Sequence, residues 1–152
     1  MAGGGILADA GDHLIDALLW STGQAAIEVA AIQSRLESGL DIVTAAAIRL
    51  ADGTAATLAL SGVTKGSRFE LEYYGERGRL RVDEHSFEEA IDDQPERVVP
   101  LGEPVETIDG NFVAAIVDGH PLCCPGEAAL DTVRLLEAIA RSVATGQLAR
   151  LP

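Results

Sequence analysis

The chain has 152 residues with 11 basic against 24 acidic side chains, a formal charge of −13, which excludes the cationic stripe a nucleic-acid binder needs to neutralise phosphates. The same charge disfavours an anionic membrane surface, and no apolar run reaches the roughly 18 residues of a membrane span. With 47 % hydrophobic but 4 % aromatic residues, a single domain over 1–152 must build its core from Ala, Val, Ile and Leu.

The N-terminal stretch GGGILADAGDHLID (3–16) begins a helix predicted over residues 5–21, with Gly23 as its stop. At about 100° per residue, Leu7, Ala10, Leu14, Ala17 and Leu18 share one apolar face and Ile15 and Leu19 a second. Asp9, His13, Asp16 and Trp20 form a polar stripe between them. A helix apolar on two sides is largely buried, so its carboxylates must look into a cleft or onto a polar partner.

Strands follow. AIEVAAIQSRL (26–36), DIVTAAAIRLA (41–51) and TAATLALSG (54–62) are rich in Ala and β-branched residues, and Asp52-Gly53 marks a hairpin between the second and third. RFELEYYG (68–75) and RLRVD (79–83) alternate apolar and polar residues around the turn GERG (75–78). SFEEAID and RVVPL are two short candidates within 86–105. A helix is predicted from Thr107 to Val117, then the loop HPLCCPG, then an amphipathic helix over Glu127–Thr145 with Leu130, Val133, Leu136, Ala140 and Val143 on its core face. The predicted class is α+β: a helix, a mostly antiparallel open sheet of five to seven strands, and two C-terminal helices packed on one face.

The cysteines, Cys123 and Cys124, are adjacent, and neighbours reach disulfide geometry only with strain. Two buried thiols in a reducing cytoplasm are expected, with a redox switch as the alternative. The N-terminus has no basic region ahead of an apolar one, so no signal peptide is readable and a cytoplasmic location is expected.

Three readings compete for Asp9, His13 and Asp16. In the first the residues are structural: Asp9 favours the positive end of the helix dipole and His13 is its satisfied partner one turn on. In the second, Asp9 orients the His13 imidazole, which moves a proton to or from a substrate; an unperturbed value near 6.5 suits histidine to that task. In the third, the three side chains hold a divalent metal through mixed oxygen and nitrogen ligands, although one helix cannot surround an ion.

GGGILADAGDHLIDALLWSTG (3–23) resembles the GGG-x-L-x-D-x-G-x-H-x-x-D signature that opens the second domain of Gfo/Idh/MocA oxidoreductases. FELEYYGERGRLRVD (69–83) is similar to that family's strand–turn–strand segment, and NFVAAIVDGHPLCCPGEAALDTVRLLEAIARSVATGQLARLP (111–152) to its closing helix, G-x-P loop and last helix. The resemblance spans nearly the whole chain. It implies a C-terminal α+β domain whose open sheet supports the substrate site and packs against another subunit, so that a homo-oligomer, dimer or higher, forms through the sheet face. It also implies Asp9 and His13 as catalytic residues, with His13 the general acid/base for the hydroxyl proton, and Gly4, Gly5 and Asp16 on the substrate side. The substrate implied is a small molecule, a sugar, cyclitol or similar polyol, and the cofactor of the full-length enzyme is NAD(P).

The cofactor half of the pattern is missing. No strand–G-x-G-x-x-G–helix turn is present, and the family's Glu-Lys-Pro segment is absent, the sole lysine being Lys65 in TKGS. The expectation is therefore a substrate-binding and oligomerisation domain, the C-terminal part of a longer oxidoreductase, binding no cofactor, nucleic acid or membrane by itself. The alternative is a stand-alone, non-catalytic binding or scaffold domain that self-associates through its sheet. The three apolar runs between 26 and 62 predict self-association in either case, and lack of the family's first strand predicts an unpaired sheet edge.

Overall fold

The computed structural model describes residues 5–66, 68–102 and 106–152. In chain order the elements are a π-helical turn (Leu7–Gly11), α1 (Asp12–Thr22), β1 (Ala26–Arg35), β2 (Asp41–Leu50), β3 (Ala55–Ser61), β4 (Glu70–Gly75), β5 (Gly78–Asp83), β6 (Phe87–Ile91), β7 (Arg97–Val98), α2 (Ile108–Val117), α3 (Gly126–Thr145) and β8 (Ala149–Arg150). They divide into two compact units, Met1–Lys65 with Cys124–Pro152, and Gly66–Cys123.

The first unit is a four-stranded antiparallel sheet in the order β3-β2-β1-β8. Alternation in β2 sends Thr44, Ala46, Ile48 and Leu50 inward, beside Val29 of β1 and Leu58 and Leu60 of β3. Ile15 of α1 and Leu135, Ala138 and Ile139 of α3 complete this core. The register puts Ala30, Ala47 and Thr57 in one row of the opposite face, and Ile32, Ala45 and Ala59 in the next. Ile32 is 75 % exposed there, and the Glu28–Arg49 pair, 2.6 Å, closes one end.

The predicted bare edge beside β1 is partly filled: β8 pairs with Glu28 and Val29. Beyond that short pairing, the Ala31 N–H donates to Ser142 Oγ of α3 (3.0 Å), whose own hydroxyl donates to the Gln147 carbonyl (2.7 Å). A helix side chain thus takes the place of a ladder partner.

The core face of α3 corrects the sequence expectation. Thr132, Leu135, Ala138, Ile139 and Ser142 are buried, whereas Leu130 and Val133 are exposed. The helix carries two apolar stripes, and the buried one includes two hydroxyls. Hydropathy undervalues that stripe because Ser142, and more weakly Thr132 toward Asp16 (3.4 Å), satisfy their polar atoms inside.

The second unit is a four-stranded antiparallel sheet in the order β4-β5-β6-β7. One face is charged: the Arg81 guanidinium meets Glu70 (2.7 Å), Glu88 (3.1 Å) and Asp83 (3.6 Å). The other carries half-buried Leu71, Tyr73, Leu80, Val82 and Phe87. Gly78 has φ +148°, and a Cβ there would lie 2.0 Å from the Ala90 carbonyl oxygen, so only glycine fits. Thr107 caps α2, its side chain accepting from the Gly110 N–H (3.0 Å).

The α+β class and antiparallel pairing agree with the sequence reading. The expected single sheet of five to seven strands is instead two sheets of four, because the stretch after β3, with Gly62 and a left-handed Gly66 (φ +90°), breaks the ladder before β4. Of the two C-terminal helices, α3 covers the first unit's sheet and α2 belongs to the second unit.

Candidate functional site

The helix bearing the Asp–His stripe is not one α-helix. Its first turn, Leu7–Gly11, is π-helical, a conformation that recurs at functional sites. The Gly5 carbonyl accepts from the Ala8 (3.1 Å) and Asp9 (3.2 Å) N–H groups, and the Leu7 N–H donates to Asp41 Oδ2 at 2.9 Å. A Cβ on residue 5 would stand 2.2 Å from both the carbonyl oxygen and Oδ1 of Asp41. Glycine at position 5 is therefore required by the passage against Asp41. Gly4 lies outside the described residues.

Gly11 is buried, and a Cβ there would come within 2.9 Å of Leu60 Cδ1 and 3.0 Å of Leu7 Cδ1. This glycine, which the sequence reading did not single out, lets the helix settle on the sheet. Its signal was its place between the two polar positions of the motif.

Asp9 and His13 are both exposed, the histidine side chain to 76 %. Among the described residues no hydrogen bond or ion pair joins them. The carboxylate paired with the imidazole is that of Asp12, Oδ1 to Nε2 at 4.0 Å, and the same oxygen accepts from the His13 backbone N–H at 2.8 Å. Two causes combine. A π-turn advances each residue less around the axis than an α-turn, which displaces Asp9 from the line drawn at α-helical spacing. Adjacent helical residues do not ordinarily face one another, and Asp12 meets His13 through the backbone N–H instead.

Asp16 is half-buried and accepts from Thr132 Oγ1 at 3.4 Å, which turns it toward α3. Trp20, the fourth member of the stripe, is 77 % exposed. His13 and Trp20 thus share one solvent-facing side of α1, with Asp16 tethered between them. Among the described residues no group of three or more His, Cys, Asp or Glu side chains could hold a metal ion.

The cysteine expectation is corrected: Cys123 and Cys124 are both exposed free thiols. They stand in the loop before α3, where no element covers them. The loop is pinned instead by Asn111, a buried amide that the sequence reading missed. It donates to Glu106 Oε2 (3.1 Å) and the Pro121 carbonyl (3.2 Å) and accepts from the Cys123 N–H (3.0 Å).

Residues 1–81 match the GFO/IDH/MocA C-terminal domain. The chain belongs to that family. A comparison with curated protein sequences gave no match. Among solved structures, this GFO/IDH/MocA domain is similar to a levoglucosan dehydrogenase in complex with NADH (20 % identity, TM-score 0.88), covering 100 % of this chain and 51 % of that one. It is also similar to the aldose-aldose oxidoreductase of Caulobacter crescentus (20 %, TM-score 0.85; 99 % of this chain and 48 % of that one). A third is the WlbA dehydrogenase of Bordetella pertussis in complex with NADH and UDP-GlcNAcA (22 %, TM-score 0.77; 98 % and 46 %). At such identities the likeness is one of fold, and the chain spans about half the length of these relatives.

The two neighbours crystallised with NADH pose the question of whether the residues of this GFO/IDH/MocA domain suit a dinucleotide. Every strand pairing among the described residues is antiparallel. A dinucleotide pyrophosphate is cradled where a parallel strand turns through glycines into a helix N-terminus. The described residues do not fit that group. Among the described residues no helix is long and apolar enough to cross a membrane.

Proposed function

We propose that this chain is the substrate-binding and oligomerisation domain of an NAD(P)-dependent oxidoreductase acting on a sugar, cyclitol or similar polyol, inactive by itself and cytoplasmic. The observation carrying the reading is a solvent-facing imidazole, His13, on the motif helix of a GFO/IDH/MocA C-terminal domain. His13 takes the substrate's hydroxyl proton as the carbinol carbon gives up a hydride, for which NAD(P)⁺ would be the acceptor, and returns the proton in the reverse direction. Asp9, exposed one helical step away, is the acid of the pair, and Asp12 accepts from the His13 backbone N–H beside the ring. Asp16 and Gly5 stand on the substrate side, the role the motif also gives Gly4. The names of two relatives, an aldose-aldose oxidoreductase and a levoglucosan dehydrogenase, support the polyol class. The nicotinamide cofactor belongs to polypeptide outside these residues.

The open face of the first unit supports self-association. A row of alanines with one exposed isoleucine is level and apolar, the surface a second sheet packs against.

The test is turnover by the longer protein that contains this chain, with a panel of aldoses and cyclitols and NAD or NADP. His13→Ala is expected to lower kcat/KM by about 10²–10⁴-fold, the usual share of general acid–base catalysis. Unchanged turnover refutes the assignment. The isolated chain is expected to give no saturable calorimetric signal with NAD or NADP. The scaffold reading draws on one observation, the missing bond between Asp9 and His13. It predicts ligand binding that ignores His13→Ala.

A further inference from the structure

We propose that Asp41 is a positioning residue for the acid–imidazole pair: its carboxylate holds the first turn of the motif helix and thereby sets where the Asp9 carboxylate stands. The inference rests on the reading of Asp9 and His13 as the working pair.

Asp41 opens β2, on the strand side of the hairpin whose turn is closed by the Leu36 N–H to Leu40 carbonyl bond (2.9 Å). Its carboxylate is held from the sheet and holds the helix. Oδ2 accepts from Thr44 Oγ1 (3.2 Å), a fully buried hydroxyl that itself accepts from Gln33 Nε2 (3.0 Å). The same oxygen accepts from the Leu7 N–H. Oδ1 and the Asp41 carbonyl fill the space a side chain at position 5 would need. The segment Gly5–Leu7 is therefore fixed by contact on one side and by a charge-assisted bond on the other.

A helix start leaves its first N–H groups without partners, and a side chain of the N-cap residue ordinarily answers them. The N-cap here is Ile6, which has no acceptor, and the first-turn acid is Asp9. An aspartate in that place competes for its own helix's N–H groups. Asp41 occupies the Leu7 donor from outside, and Gly5 takes those of Ala8 and Asp9. The Asp9 carboxylate is left facing solvent, as a group that must meet a substrate or an imidazole requires.

The test is nuclear magnetic resonance on the 152-residue chain, wild type against Asp41→Ala and Asp41→Asn, with no ligand present. Asp41→Ala is expected to raise amide exchange at Leu7 by about tenfold or more, and to move the Asp9 Cγ and His13 Cε1–H resonances while those of His85 and His120 stay in place. Asp41→Asn keeps an oxygen at the same reach and is expected to restore both resonances. Leu7 exchange that rises while the Asp9 and His13 signals stay still reduces Asp41 to a helix anchor and overturns the proposal, as does exchange that does not change. Should Asp41→Ala not fold, Asp41→Glu replaces it: the charge is kept but the acceptor is displaced by one methylene, and an unmoved Asp9 Cγ then overturns the proposal. None of these readouts needs turnover, so failure of this proposal is told apart from failure of the catalytic reading, which a His13→Ala enzyme of full activity would remove.

Discussion

Ser142→Ala removes a single hydroxyl that is 2 % exposed and makes two bonds at once. The Gln147 carbonyl is exposed and rehydrates, so its loss is close to the net value of one hydrogen bond, about 1 kcal/mol. The Ala31 N–H lies half-buried under α3, where an unmade bond costs about 1–3 kcal/mol. Alanine returns about 0.5 kcal/mol through its higher helix propensity. The net loss is about 2 kcal/mol, which lowers a urea midpoint by about 1 M at a slope of about 2 kcal/mol/M. Urea titration followed by far-ultraviolet circular dichroism measures it, with Ser34→Ala on the open face as a control expected to stay within about 0.5 kcal/mol of wild type. A midpoint for Ser142→Ala within 0.2 M of wild type, about a fifth of the predicted shift, refutes the idea that α3 supplies a ladder partner for β1.

Ala45→Arg, on the alanine row of the first sheet, is expected to convert an oligomer to a monomer in light scattering while leaving the unfolding midpoint of the monomer unchanged. Glu70 is held below its ordinary 4.5 by hydrogen bonds from Arg68 and Arg81, and Asp83 below 3.8 by the His85 and Ser86 N–H groups. Depressed carboxylates contribute stability above their ordinary values and lose it as pH falls through the depressed ones, so the second unit is expected to loosen below about pH 4; Glu70→Gln should flatten the acid limb of a thermal-melt profile recorded from pH 7 to pH 2. Asp92 and Asp93 carry φ of +51° and +60°, and Asp93→Gly is expected to raise the unfolding free energy by about 0.5–1 kcal/mol by relieving the left-handed residue, read from the urea midpoint. Gly78→Ala drives a methyl into the Ala90 carbonyl and should cost about 3 kcal/mol or more in the same denaturation assay.

Wherever one face of an element was wet and the other dry, the residues themselves announced the fold. FELEYY and RLRV alternate because β4 and β5 have a charged face and an apolar one, and both strands form as read. The helix read from Thr107 to Val117 forms over Ile108–Val117, with Thr107 as its cap. The reading faltered where polarity was hidden by satisfaction. Ser142 and Thr132 look like surface residues until their acceptors and donors are known, and the core face of α3 was misplaced for that reason. It faltered again at the motif helix. Spacing arguments assume an α-helical advance, whereas this first turn is π-helical and its Leu7 N–H is bound to Asp41, 34 positions away. The cysteines are exposed for a related cause, a loop pinned by one distant amide.

The alanine carpet on the first sheet has a consequence of its own. Side chains of one carbon give a neighbour no ridge to lock against, so any sheet laid over them is free to turn until something at the border stops it. The stops available are the isoleucine at position 32 and the Glu28–Arg49 couple. In the self-association proposed above, swapping those few border residues would swivel one copy on another without disturbing the interior, so that the docking angle and the fold could drift separately.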